Sequence, residues 1–502
     1  MQTVRLREIG VINEVRQNIA WVSGLSRCMP GQLLEIGEDA KGLVLDFVRG
    51  EARVLILAKP GEVRVGIKVS SDMRSFQVPA GEGFLGRVVN ALAEPMDGKG
   101  PVKGDRERWV SGEDLPARLT DVPVFRFAPG VLDRRPISQP LETGILSIDA
   151  TIPLGLGQRQ LILGDRMTGK TSIALDAMIH QKEKGLVCVY CCIGKSESSF
   201  VKVVKTLKQS GALEYTILVS ASASASAGEQ YLAPYSAAAL GEYFMYRGRD
   251  VLVVFDDLTK HAWAYRELSL LMGRPPGREA YPGDIFYIHS QLMERAANLT
   301  PAAGGGSMTF LPIAETLQGD FTAFIPASLI SMTDGQIYLS NALFAEGFKP
   351  AIDLGLSVSR IGNKVQSPAM KELSAMLRLE YFQHSELLKL IRFKFNVSEE
   401  IRAKLKQGEI ARNFFIQEKT RPLSGEAEIL LLYALRRKVL EGFLPAQVED
   451  FKENIFSFAA RHCSPVLEEL KKEQRLTPGI TRGLDRCFLA YFKRGKDASG
   501  EE

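Results

Sequence analysis

Apolar and polar positions alternate in short runs over residues 1–80. The runs Val11–Val22, Gln32–Ile36, Gly42–Val48, Arg53–Ala58, Val63–Val69 and Ser75–Val78 are broken by turn residues at Gly24, Gly37, Gly50 and the Pro60–Gly61 pair. Short strands at such regular spacing predict a small closed β-barrel, with an open meander as the alternative. From Gly81 to about Leu161 the pattern is mixed and rich in turns, among them Asp97-Gly98 and Pro129-Gly130. Continuous apolar runs then alternate with helical stretches: Leu161–Gly164, Leu186–Cys192, Tyr215–Val219 and Val251–Asp256. Runs without polar alternation suit parallel strands covered on both faces, so residues 81–367 read as an α/β nucleotide-binding domain. The Ser-Ala repeat of Ser220–Ala227 reads as a loop at the C-terminal edge of that sheet rather than as a linker. Beyond Pro368, Leu373, Met376, Leu377, Leu387, Leu388 and Ile391 recur on a helical face, and Glu426–Glu441 behaves alike. Residues 368–502 therefore read as a helical bundle, with Arg494–Glu502 as a frayed end. No repeat of fixed period is present.

Composition narrows the class little. The chain has 502 residues, long enough for about three domains, with 45% hydrophobic and 24% charged residues and a net charge of +4. So small a charge gives no electrostatic reason to expect nucleic acid or a membrane surface. The six cysteines (Cys28, Cys188, Cys191, Cys192, Cys463, Cys487) are too few and scattered for a disulfide framework, and three sit in one apolar run. The five histidines are isolated in sequence and read, like Trp21, Trp109 and Trp263, as core or surface residues. The N-terminus has no signal-peptide core, and no stretch reaches the ~18 apolar residues of a spanning helix. Membrane association is expected only through partners.

The chemistry enters at Gly164, Asp165, Arg166, Met167, Thr168, Gly169, Lys170 and Thr171, which match the phosphate-loop pattern G-x-x-x-x-G-K-[ST]. A strand precedes the loop (Gln160–Leu163) and a helix follows (Thr171–Lys182). Glycines let successive N–H groups turn inward, and the helix N-terminus adds partial positive charge. Lys170 is placed to reach the outer phosphates of ATP or ADP and the Thr171 hydroxyl to coordinate Mg2+. A second metal-side acid is expected at the end of an apolar strand, where Asp256 is the first candidate and Asp257 the alternative.

These residues, with Arg274-Pro-Pro-Gly-Arg-Glu-Ala-Tyr-Pro-Gly-Asp284, His289, Glu294-Arg-Ala296, Ile330–Ile337 and Gly355-Leu-Ser-Val-Ser-Arg-Ile-Gly362, give the chain a close resemblance to F-type ATP synthase alpha subunits. Leu85–Val89 and Asp97–Pro101 extend the likeness back toward the barrel. The resemblance implies a multidomain fold: N-terminal β-barrel, central α/β P-loop (RecA-like) domain and C-terminal α-helical bundle. It implies a ring of three alpha and three beta subunits around a central stalk, held by a peripheral stalk at the cytoplasmic face of the cell membrane. In that family beta turns nucleotide over, and alpha binds it without rapid turnover.

Hydrolysis needs an acceptor to orient the attacking water. In the family's catalytic subunits this is a glutamate directly after the glycine ending the strand beyond the loop helix. That glycine is Gly194, and Lys195 follows; a charged lysine has donors only. Alpha subunits usually carry glutamine there, so Lys195 departs from both patterns. Glu197, two residues on, is displaced from the required place. Arg360, in Ser-Val-Ser-Arg, corresponds to the arginine that reaches the neighbouring beta subunit's nucleotide. By the same likeness Lys349-Pro350 and Gln417 border the adenine pocket and Glu315 lies near the phosphates, while Met167 replaces the usual glutamine. Because the chain begins almost at the barrel, it is expected by the same likeness to dock the peripheral stalk without the helical arm typical of the family. This and the short Ala296–Ser307 segment are similar to the alternate, sodium-linked branch. A self-sufficient export-type ATPase and a nucleic-acid translocase are the competing classes. The first lacks its glutamate at Lys195, and the second lacks an aromatic strand-binding face on the barrel.

Overall fold

The first six strands, Glu8–Arg16 (β1), Ile19–Ser23 (β2), Gln32–Ile36 (β3), Ala40–Val48 (β4), Glu51–Leu57 (β5) and Lys68–Ser75 (β6), close into a barrel of order β1-β2-β5-β4-β3-β6. Alternation drives it: Ile12, Ala20, Val22, Leu34, Ile36, Val44, Val54, Ile56 and Val69 pack inside. Register shifts between Ile12 and Glu14, and between Val44 and Asp46, supply the bulges that curve the sheet. Closure leaves no free strand edge. The barrel expectation is borne out, with two local differences. The run Val11–Val22 is a hairpin that turns at Gln17 (φ 50°), where no glycine or proline marks the break. The last strand begins at Lys68, later than the run Val63–Val69 suggests.

The computed structural model describes residues 7–38, 40–57, 63–102, 106–107, 119–391, 408–410, 412–441 and 443–499. Ala58, Pro60, Gly61 and Trp109 lie outside these. The chain divides into two compact units, one drawn from Met1–Pro136, Leu156–Arg166 and Lys184–Asp334, the other from Ile137–Gly155, Met167–Glu183 and Gly335–Glu502.

In the first unit a parallel sheet follows the barrel: Val88–Val89 (β7), Leu161–Gly164 (β8), Val187–Ile193 (β9), Thr216–Ala221 (β10), Asp250–Asp256 (β11) and Ser307–Glu315 (β12), in the order β8-β12-β11-β9-β10-β7. Strands β9 and β10 are buried at every residue, as their continuous apolar runs require, and Cys188, Cys191 and Cys192 are among the buried positions. The apolar pattern does not mark β12; Pro312 interrupts it, yet it lies between β8 and β11. After β10 the Ser-Ala stretch leads into the helix Ala227–Met245, capped reciprocally by Ser226 and Glu229. That helix is apolar nearly all round. Its Glu242 is neutralised by the equally buried Arg295, at 2.7 and 2.9 Å, and Arg295 also donates to Val124 O (2.9 Å). The motifs Leu85–Val89 and Asp97–Pro101 meet in a second ion pair, Arg87–Asp97 at 2.7 Å. The Arg87 guanidinium holds the Asp97 carboxyl well below the usual carboxylate range.

The second unit contains the helix Lys170–His180, a short antiparallel pair of Gly335–Leu339 with Val358–Ser359, and the helices Pro368–Ser374, Leu377–Ile391, Gly425–Arg436, Pro445–His462, Ser464–Glu473 and Pro478–Ser499. Helix formation beyond Pro368 is borne out. Of the expected frayed end Arg494–Glu502, the part to Ser499 is instead helical, because extending an existing helix costs far less than starting one, and residues 500–502 lie outside the described residues. Among the described residues no helix is long and apolar enough to cross a membrane.

Candidate nucleotide-binding site

At the C-terminal edge of the sheet, Gly164 ends β8 opposite Glu315 of β12, and Asp256 ends β11 opposite Cys192 of β9. Open α/β sheets bind ligands outside this edge. The loop's first residues are tied down here. Asp165 accepts from Thr316 Oγ1 (2.6 Å) and from Gly319 N (2.9 Å), and Arg166 Nε donates to Glu315 Oε2 (3.1 Å). The Arg166 side chain is mostly exposed, so its pair with Glu315 orients more than it stabilises. The loop then turns through Met167 (φ 65°) and Gly169 (φ 103°), the latter capping the helix Lys170–His180 with no side-chain hydrogen bond. A helix N-terminus carries partial positive charge, which suits an anion. Lys170 and Thr168 are buried and Thr171 half-buried, whereas Met167 is 91% exposed.

Gly194 follows β9 in the left-handed region (φ 62°), and a Cβ there would stand 2.8 Å from the Lys260 side chain. Glycine is thus required sterically as well as conformationally. The turn sends Lys195 toward the neighbouring strand, where its ammonium is ion-paired with Asp256 Oδ1. Tyr190 on β9 donates its hydroxyl to Asp256 Oδ2 at 2.7 Å. Asp256 is fully buried, and both its oxygens are engaged. Burial, and then the Asp256 charge, push the Tyr190 phenol up. Asp257 caps the helix Leu258–Leu271 by accepting from Lys260 N at 2.8 Å. Burial and the adjacent Asp256 raise its carboxyl to about 7. Glu197, exposed in the first turn of the helix Glu197–Gln209, accepts from Ser224 Oγ (2.8 Å).

These contacts decide how Mg2+ fits. The Thr171 hydroxyl is of the right chemistry, but Asp256 presents its carboxylate to an ammonium and a phenol. Among the described residues no group of three His, Cys, Asp or Glu side chains could hold a metal. The donor set does not fit a divalent ion at Asp256.

The second unit holds a cavity of about 680 Å³ bordered by Met167, Thr168, Gly169, Ser172, Asp176, Phe344, Lys349, Pro350, Gln417 and Lys419. That size suits a small-molecule ligand. Gln417 is a wall-builder: its amide donates to Gly144 O (2.7 Å) and Arg421 O (3.0 Å) and accepts from Leu146 N (3.2 Å), while its N–H donates to Lys349 O (2.8 Å). Asp176 escaped the sequence reading, although it lies one helical turn beyond Ser172 on the loop helix. It accepts from Thr420 N at 2.7 Å, and burial raises its carboxyl to about 6.

Arg360 follows the strand Val358–Ser359. The serines around it are anchored: Ser357 Oγ donates to Asp353 O (2.6 Å) and Ser359 Oγ to Pro153 O (2.8 Å). Arg360 itself is exposed and has no hydrogen-bond or ion-pair partner among the described residues.

Strand, glycine loop, helix and adjoining cavity define a phosphate-loop nucleotide-binding protein of the α/β class. The comparisons agree. The profile of the ATP synthase alpha/beta family, nucleotide-binding domain, matches residues 144–359, and that of the ATP synthase alpha/beta chain, C terminal domain, matches residues 366–491. The ATP synthase subunit alpha of Caldanaerobacter subterraneus subsp. tengcongensis is 43% identical over 500 residues, covering 100% of this chain and 96% of its own length. That of Clostridium acetobutylicum is 43% identical over 484 residues (96% and 93%), and that of Clostridium botulinum 43% over 479 (95% and 92%). The chain belongs to the ATP synthase alpha/beta family, and its resemblance to the alpha subunit holds along its whole length.

Proposed function

We propose that this chain is the nucleotide-binding, non-catalytic alpha subunit of a rotary ATP synthase, alternating with beta subunits in a three-plus-three ring around a central stalk. In this reading the barrel is residues 1–80, the nucleotide-binding domain 81–367 and the helical domain 368–502. The loop Gly164–Thr171 holds the phosphates of ATP or ADP, with Lys170 against the outer ones and Thr171 offering its hydroxyl. The base enters the cavity beside Lys349, Pro350 and Gln417. Arg360 serves the neighbouring beta subunit's catalytic site, where a planar, permanent cation suits the charge of a transferring phosphoryl group. The complex sits at the cytoplasmic face of the cell membrane and couples turnover to ion transport, and this chain contacts the membrane only through other subunits.

One observation carries the non-catalytic part. The position that needs a water-orienting acceptor holds Lys195, whose ammonium is committed to Asp256. Arg360 is exposed and has no partner among the described residues, which supports its action on another chain. The test is reconstitution with beta and central-stalk subunits. Arg360→Ala is expected to leave the ring assembled and to lower turnover by roughly 10³-fold or more. Near-normal turnover in that ring, or rapid ATP cleavage by the isolated chain, overturns the reading.

A further inference from the structure

We propose that the Lys195 ammonium takes the place of a divalent cation at Asp256, so that this chain's site retains nucleotide without requiring Mg2+. The inference rests on the phosphate loop being the nucleotide site. It deepens that reading by naming the form of nucleotide bound: the metal-free anion as well as the metal complex.

The physical problem is local. A carboxylate with no solvent exposure ends β11, two strands from the loop's origin at Gly164, on the edge that a triphosphate must approach. Unneutralised, it would repel the incoming phosphates in a medium that screens poorly. A bridging metal removes that repulsion in phosphate-loop proteins, because the ion is the largest local charge and binds acid and phosphate together. Here the repulsion is already removed from within the chain. Lys195 supplies the positive charge on Oδ1, and the Tyr190 hydroxyl, at 2.7 Å, fills Oδ2. The lysine is held to this task by its backbone. Gly194 N donates to Ala221 O (2.7 Å) and Ala223 N to Lys195 O (2.8 Å), fixing the turn against β10. A hydrated divalent ion would have to displace the ammonium to reach the acid, so the metal gains little there and its loss costs little.

The experiment measures ATP affinity of the purified full chain by equilibrium binding, in excess Mg2+ and in EDTA, for wild type, Lys195→Gln, Lys195→Arg and, as a loop control, Lys170→Ala. In the wild type, EDTA is expected to change Kd by less than about threefold, and in Lys195→Gln to weaken binding by about tenfold or more, because the acid is again unscreened. Lys195→Arg keeps a cation in place and is expected to keep the wild-type insensitivity. A Mn2+ titration of the wild-type chain with ATP, followed by electron paramagnetic resonance, needs no variant. Mn2+ held no more tightly than by free ATP supports the proposal, and a tight protein-bound Mn2+ site overturns it. A wild-type chain whose ATP affinity falls tenfold in EDTA, as much as that of Lys195→Gln, overturns the proposal and leaves the loop reading standing. No ATP binding under either condition, or full binding by Lys170→Ala, removes the loop reading and this inference with it.

Discussion

The buried pair Glu242–Arg295 offers the sharpest test of what holds the nucleotide-binding unit together. Arg295 is fully buried and Glu242 is 2% exposed, with two hydrogen bonds of 2.7 and 2.9 Å between them. The guanidinium also bonds Val124 O at 2.9 Å and Tyr235 O at 3.4 Å, joining the helix Ala227–Met245 to the end of the strand Leu119–Pro123. Glu242→Gln keeps the volume and removes the charge. Breaking such a pair from one side costs about 3–5 kcal/mol, because the remaining ion stays desolvated and unpaired. At ~2 °C per kcal/mol, the low end of the scale for units of 150–250 residues because this one is larger, the expected fall in Tm is roughly 6–10 °C. Differential scanning fluorimetry of the isolated chain reads this directly. The double variant Glu242→Met with Arg295→Met removes both charges and is expected to recover most of the loss, since apolar replacements of buried pairs are often neutral or better. A single variant melting within about 1 °C of wild type, or a double variant as unstable as the single one, would refute the argument that charge burial sets the penalty.

Two further outcomes follow from buried groups of the same unit. His261 and His289 are fully buried, with Nδ1 of the first 3.3 Å from Nε2 of the second, and burial lowers the His261 pKa to about 4. Above pH ~6.5 both states leave His261 neutral and it contributes nothing; between there and about 4 the unfolded chain takes a proton that the folded one refuses, so stability falls with pH by up to ~1.4 kcal/mol per unit. Denaturation midpoints measured from pH 7 to 4.5 should flatten in His261→Gln, and an unchanged slope counts against the assignment. Gly306→Ala would place a Cβ 2.3 Å from Met245 O and 2.4 Å from Arg249 O, both backbone atoms. It is expected to cost about 1–3 kcal/mol in chemical denaturation, and a neutral result would mean that the segment shifts freely.

The sequence was most readable where function is written in consecutive residues. The loop Gly164–Thr171 is eight neighbours in order, and the strand before it and helix after it follow from local patterning. The lysine after Gly194 was legible for the same reason, by counting from the end of an apolar strand. What that lysine does was not, because Asp256 lies on the adjacent strand and only the sheet order brings the two together. Tyr190 was hidden in an apolar run by its aromatic ring, and the two histidines, isolated in sequence, meet only through helix packing. The barrel was visible in its alternation, but closure depends on β1 pairing with β6, a long-range contact no local pattern states. Asp176 was masked by the helix that carries it, since a lone acid among apolar residues on a helix looks like a surface acid until the packing is known.

The three thiols sealed within β9 have a use. A cysteine reacts with an alkylating reagent only as an exposed thiolate, and burial pushes the Cys188, Cys191 and Cys192 thiols up from their ordinary value. Their rate of modification therefore clocks how often the strand beside Asp256 is uncovered. The half-exposed Cys463, outside the sheet, serves as an internal reference for the reagent.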